Sequence, residues 1–94
     1  FVERLKQQRL YDHSIVILTA DHGELIGEDG RWGHSYHMFP EVVEVPLFVH
    51  VPTGRKGPGP DTGAVAYSTD ITPTVYDLLG YRLEARGPLA GRSL

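Results

Sequence analysis

The sequence predicts an α/β layer structure. Two apolar runs, Ile-Val-Ile-Leu at 15–18 and Val-Pro-Leu-Phe-Val-His-Val at 45–51, read as strands. Residues 1–11 and 71–79 carry helical spacing. The order helix, strand, loop, strand, loop, strand, helix then alternates the two element types as α/β layers do.

The first helix is expected over residues 1–11, where Phe1, Val2, Leu5 and Leu10 share a face and Glu3, Arg4, Gln7 and Gln8 lie elsewhere. No capping residue precedes Phe1, so this helix is expected to begin upstream. Asp12, His13 and Ser14 break it. The apolar run at about 15–20 is unbroken, which predicts a strand buried on both faces. A long loop, about 21–40, follows and holds Gly23, Gly27, Gly30 and Gly33 among acids, imidazoles and Trp32. Loops of that length without periodicity usually serve a function. In the second strand, Pro46 cannot donate to a ladder and belongs at its start or at an edge. Residues 52–63 read as a Gly/Pro surface loop, and 64–67 as a short third strand. Asp70 reads as the N-cap of a helix from about Ile71 to Leu79, with Pro73 in its first turn and Gly80 as its C′ glycine. Residues 81–94 read as extended loop.

Ninety-four residues make one small segment, near the lower limit for a self-sufficient core. So few strands and helices cannot cover both faces of a sheet. The edge strands are therefore expected to take partners from a longer chain or from a second copy, that is, to self-associate. The absence of an initiator Met predicts a piece of something longer. A net charge of −3 gives no electrostatic case for nucleic acid or an anionic membrane as partner. No apolar stretch is long enough to cross a bilayer. With no cysteine, disulfides, thiolate metal sites and a Cys nucleophile within these residues are excluded.

The chemistry concentrates in Asp21-His22-Gly23-Glu24. Open α/β sheets place ligand sites at the carboxyl ends of their strands, which is where Asp21 and His22 fall. A carboxylate oxygen beside an imidazole nitrogen suits zinc or manganese better than calcium. His34, after Gly33, reads either as a further metal ligand or as a donor to an anionic substrate oxygen. Glu24 and Glu28 read as hydrogen-bonding supports for such ligands or as solvated charges. Trp32 reads as a loop anchor, with a lid aromatic as the alternative. His13, His37 and His50 read as structural, Arg55 and Lys56 as solvated, and Thr19 as packed at the strand end. No residue reads as a primed nucleophile: there is no Gly-x-Ser-x-Gly elbow and no P-loop.

Thr19-Ala20-Asp21-His22-Gly23-Glu24, then Gly27-Glu28 and Trp32-Gly33-His34, resemble the metal-binding segment of the sulfatase family within the alkaline phosphatase-like superfamily. Glu41 with Val45-Pro46-Leu47-Phe48, then Asp70-Ile71-Thr72-Pro73-Thr74 with Leu78-Leu79-Gly80, then Gly91-Arg92-Ser93-Leu94 continue the resemblance in order. It implies the carboxyl-terminal part of a three-layer α/β/α sandwich that hydrolyses sulfate or phosphate esters. By this resemblance Asp21 and His22 hold a divalent metal (calcium, zinc or manganese) and His34 meets the substrate. The nucleophile-bearing part would lie upstream, leaving this piece inactive alone. His34 stands where many sulfatases carry a substrate-binding Lys. That leaves open a phospho-group transferase or phosphodiesterase acting on envelope or lipid substrates, and a non-catalytic relative.

Overall fold

The computed structural model describes residues 1–35, 37–57, 63–82 and 90–94. Residues 58–62 of the expected Gly/Pro loop and 83–89 of the expected tail lie outside the described residues. The elements are helices α1 (Val2–Gln7), α2 (Pro40–Val43) and α3 (Ile71–Leu79) and strands β1 (Val16–Leu18), β2 (Leu25–Ile26), β3 (Trp32–Gly33) and β4 (Phe48–His50). Short 3₁₀ turns lie at Tyr11–His13, Glu28–Gly30 and Ser68–Asp70. β1 pairs with β4 and β2 with β3, giving two sheets of two strands each. This mixture fits the α/β class; two-stranded sheets do not by themselves make a three-layer sandwich.

Several expectations are corrected. α1 stops at Gln7 because Arg9 takes a positive φ of 58° and ends the helix. β1 is not covered on both faces: Val16 and Ile17 are half-buried and Leu18 is 62% exposed. Among the described residues it has one partner strand, so nothing shields its outer residues. Thr19 is accordingly exposed rather than packed. Residues 64–67 form no strand. The loop expected at 21–40 contains the β2–β3 hairpin and runs into α2 at Pro40, and these elements of two to four residues are too short for periodicity to reveal.

The chain divides into two compact units, Phe1–Val16 with Val49–Leu94, and Ile17–Phe48. In the first, α3 has the predicted bounds. Gly80 ends it at φ 80°, ψ 17°, and Tyr81 N–H returns to the Tyr76 carbonyl at 2.9 Å, the left-handed closure that glycine permits. Asp70 does not cap α3 with its side chain. Its carboxylate, in a residue only 3% exposed, instead accepts the Tyr67 N–H (2.9 Å) and the Arg92 N–H (2.9 Å), tying the start of α3 to residues 91–94. Arg55, expected to be solvated, donates to the Leu78 carbonyl at the end of α3. His50 is structural as expected: it stacks on Tyr11 at 3.8 Å, and its Nε2 bonds the Tyr11 carbonyl at 3.0 Å.

The Tyr67 N–H, followed by that of Arg92, holds the Asp70 carboxyl below its ordinary pKa. A depressed carboxyl stabilises the fold above its unfolded-state pKa, and that contribution disappears as pH falls through the folded value. We therefore expect Asp70→Asn to melt lower than the parent at neutral pH, with the gap closing as the solution is acidified. Thermal melts across the acid range check this; a gap independent of pH contradicts it.

Candidate metal centre

The unit Ile17–Phe48 is built around Leu25 and Val42, its buried apolar residues. β2 and β3 run antiparallel with Leu25 opposite Gly33 and Ile26 opposite Trp32. The reversal between them is held by Gly27 N–H to the Arg31 carbonyl (3.0 Å) and by the Glu28 carboxylate accepting the Ile26 N–H (2.7 Å). Glu28 thus stabilises the hairpin turn. Its carboxyl is held below the usual range by backbone N–H groups, its own first and then that of Ile26.

The hairpin register explains the site. Continuing the pairing outward by one position sets Glu24 opposite His34. Glu24 Oε2 lies 2.8 Å from His34 Nδ1. A carboxylate only accepts, so Nδ1 carries the proton and Nε2 of His34 is left free. His22 is arranged in the same way. Its Nδ1 faces the Gly23 carbonyl at 2.8 Å, which leaves Nε2 free. The two imidazoles lie 4.2 Å apart, centre to centre, tilted by 33°. One donor atom each from His22, Glu24 and His34 falls within 4.8 Å of the others. All three residues are exposed at the surface.

Asp21 sits beside this group. Its Oδ1 accepts the His22 N–H at 3.0 Å, and Oδ2 is 3.9 Å from His22 Nε2. That backbone N–H is the main reason the Asp21 carboxyl titrates below its ordinary range. The Gly23 carbonyl, and next the Asp21 charge, push the His22 ring upward. Asp21, His22 and His34 border one open cleft of about 560 Å³. The three residues expected from the sequence are therefore together. Glu24, whose role the sequence left open between support and solvated charge, joins His22 and His34 in the tightest donor group.

Gly23 makes the close approach possible. Its N–H donates to the Val42 carbonyl at 2.7 Å, and a Cβ there would run into the Glu41 carbonyl. His37 is exposed beside the cleft with its ring 5.2 Å from Phe39. Trp32 rests one edge against Gly27, where an added Cβ would lie 3.2 Å from Cζ2, yet the residue is 77% exposed.

The donor set of two imidazole nitrogens and a carboxylate oxygen fits a divalent metal, and each free imidazole nitrogen has its opposite nitrogen fixed by an oxygen acceptor, as metal-binding histidines usually do.

The sequence profile of the sulfatase family matches residues 1–81. The chain belongs to the sulfatase family. Sulfatases use a divalent metal, which agrees with the donor chemistry just described. Among curated relatives, this sulfatase chain is 36% identical over 85 residues to the low-salt glycan biosynthesis sulfotransferase Agl7 of Haloferax volcanii, covering 84% of this chain and 20% of that protein. It is 32% identical over 90 residues to a choline-sulfatase of Rhizobium meliloti, covering 93% and 16%. It is 31% identical over 83 residues to an N-acetylglucosamine-6-O-sulfatase of Bacteroides thetaiotaomicron, covering 88% and 14%. The sulfatase chain thus spans a fifth or less of the length of these relatives. No solved structure matches it significantly. Among the described residues no helix is long and apolar enough to cross a membrane.

Proposed function

We propose that this chain is the carboxyl-terminal portion of a sulfatase catalytic domain and supplies metal and substrate ligands for the hydrolysis of sulfate esters. The observation that carries the reading is the convergence of His22, Glu24 and His34 donor atoms within 4.8 Å, next to Asp21, in a chain of the sulfatase family. Asp21 and His22 are the metal ligands. His22 offers Nε2 because the Gly23 carbonyl engages Nδ1. His34 faces the anionic group of the ester, with Nδ1 held by Glu24 so that Nε2 is the nitrogen presented to substrate. When bound, a divalent metal would neutralise charge developing on the ester oxygens and acidify the nucleophile. The mixed oxygen and nitrogen donors favour zinc or manganese over calcium. The nucleophile is contributed by protein outside these residues.

The test is metal content and sulfate-ester hydrolysis by the full-length protein against its Asp21→Ala variant. Loss of a ligand is expected to lower metal affinity at least ~10–100-fold, the range seen even for groups that only support ligands, and to abolish turnover. Unchanged metal content and activity would remove the assignment. A second reading is favoured by His34 standing where many sulfatases carry Lys: a group transferase or phosphodiesterase of the same superfamily. Activity on phosphodiesters with none on sulfate esters would select it.

A further inference from the structure

We infer that Glu24 is a specificity-determining residue: its carboxylate, joined to His34, sets the anion position against groups that carry a second negative charge. The inference rests on the placement of His34 against the ester anion proposed above. It adds which residue handicaps doubly charged groups, such as phosphate monoesters, relative to singly charged ones.

The contact is built inside one hairpin. Leu25 pairs with Gly33, so Glu24 and His34 follow as the next opposed positions. Glu24 Oε2 lies 2.8 Å from His34 Nδ1. The other oxygen, Oε1, lies over Gly33, 3.7 Å from where a Cβ would stand. The His22 ring confines His34 as well, 4.2 Å away centre to centre and tilted by 33°. These contacts all lie between residues 22 and 34 and need no protein beyond them.

The charge follows from the contact. A lysine at position 34 would offer an anion one unbalanced positive charge. The His34–Glu24 pair offers none. With both ring nitrogens protonated the two charges cancel; with one, the carboxylate charge remains. An anion that meets Nε2 therefore stands about one imidazole width from the charge of Glu24. Asp21 is a different case, because it is assigned to the ion, whose double charge answers it. Coulomb energy is proportional to charge, so the penalty that Glu24 imposes doubles for a dianion. Glu24→Gln removes that penalty. It raises the charge of the pair by one for either number of protons on the ring. The amide oxygen can still accept the Nδ1 proton, so the ring keeps its orientation.

Calorimetry on the zinc-loaded full-length protein tests this with three anions that it cannot hydrolyse as sulfate esters. Phenylphosphonate is doubly ionised at mildly alkaline pH; methyl phenylphosphonate and benzenesulfonate carry one charge and a similar ring. Glu24→Gln should shift the affinity ratio of the two phosphonates toward the dianion by about five- to tenfold. That is the scale of one unit charge across an imidazole and two hydrogen bonds, at a dielectric between those of protein and water. Benzenesulfonate should follow the methyl ester. Glu24→Asp, which keeps the charge, should leave the ratio near that of the parent, and Glu24→Gln should melt as the parent does and retain its zinc. A ratio unchanged in Glu24→Gln, a ratio shifted as far by Glu24→Asp, or benzenesulfonate responding as the dianion does each overturns the inference and leaves the sulfate-ester reading standing. Loss of zinc from Glu24→Gln does the same, because it makes Glu24 a ligand. Failure of all three anions to bind the parent overturns both.

Discussion

Gly23→Ala is expected to strip the protein of its metal affinity and to lower its stability by about 1–3 kcal/mol, the usual penalty for forcing atoms into a packed site. The added methyl group meets the Glu41 carbonyl, with the Glu41 carbonyl carbon 3.1 Å away and Val42 Cα at 3.4 Å. These are backbone atoms of α2, so no side-chain rotation relieves the overlap. The segment carrying His22 and Glu24 must move away from α2, breaking the Gly23–Val42 hydrogen bond. Metal ligation tolerates errors of only about 0.2 Å in ligand distance, so a displacement sufficient to clear a methyl group moves Asp21 and His22 off the positions from which they would hold the ion. Zinc isotherms and thermal melts on parent and variant check both halves. His22→Ala is the companion: it removes a ligand without steric pressure and should lose metal while melting close to the parent. A Gly23→Ala protein that binds zinc as the parent does would show that the donor group does not depend on this close approach.

The way this site forms sets how much of it is legible in the sequence. Asp21, His22 and His34 stood out because residue type and position at a strand end are local properties. That Glu24 meets His34 is a property of register, and the register is set by a hairpin whose strands have two residues each. Such strands show no alternation, so the sequence of residues 21–40 reads as one long loop. α3 was legible to the residue because Pro73 and Gly80 act through their own backbone preferences, independently of neighbours. The fate of Asp70 was not. A carboxylate before a helix usually caps it, but the N–H groups of Tyr67 and Arg92 compete for the same oxygens, and Arg92 is 22 positions away. β1 illustrates the reverse failure. Its apolar run correctly marked a strand, while the burial expected for such a run depends on layers that these residues do not supply.

The clasp between α3 and residues 91–94 gives the second large effect. Thr74 is 1% exposed, and its hydroxyl donates to the Asp70 carbonyl at 2.6 Å while accepting the Leu94 N–H at 3.1 Å. Thr74→Val keeps the side-chain shape and removes both bonds. The Asp70 carbonyl can still take the helical N–H one turn on, so its loss is small. The half-buried Leu94 N–H has no such substitute, and the loss of a hydrogen bond of this kind costs about 0.5–1.5 kcal/mol. Stability should therefore fall by about that amount, and the Leu94 amide should exchange with solvent faster than the amides of α3. Thr74→Ser separates the causes. It keeps the hydroxyl and loses one methyl group, worth about 0.8 kcal/mol when buried, so Leu94 should stay protected although the melt is lowered. If Thr74→Ser released Leu94 as fully as Thr74→Val, packing of the methyl rather than the hydroxyl would be what holds this segment. Gly91 argues for the hydroxyl: a Cβ there would strike the Thr69 carbonyl, so residues 91–94 follow the backbone of 69–70 too closely to be seated by side-chain packing alone.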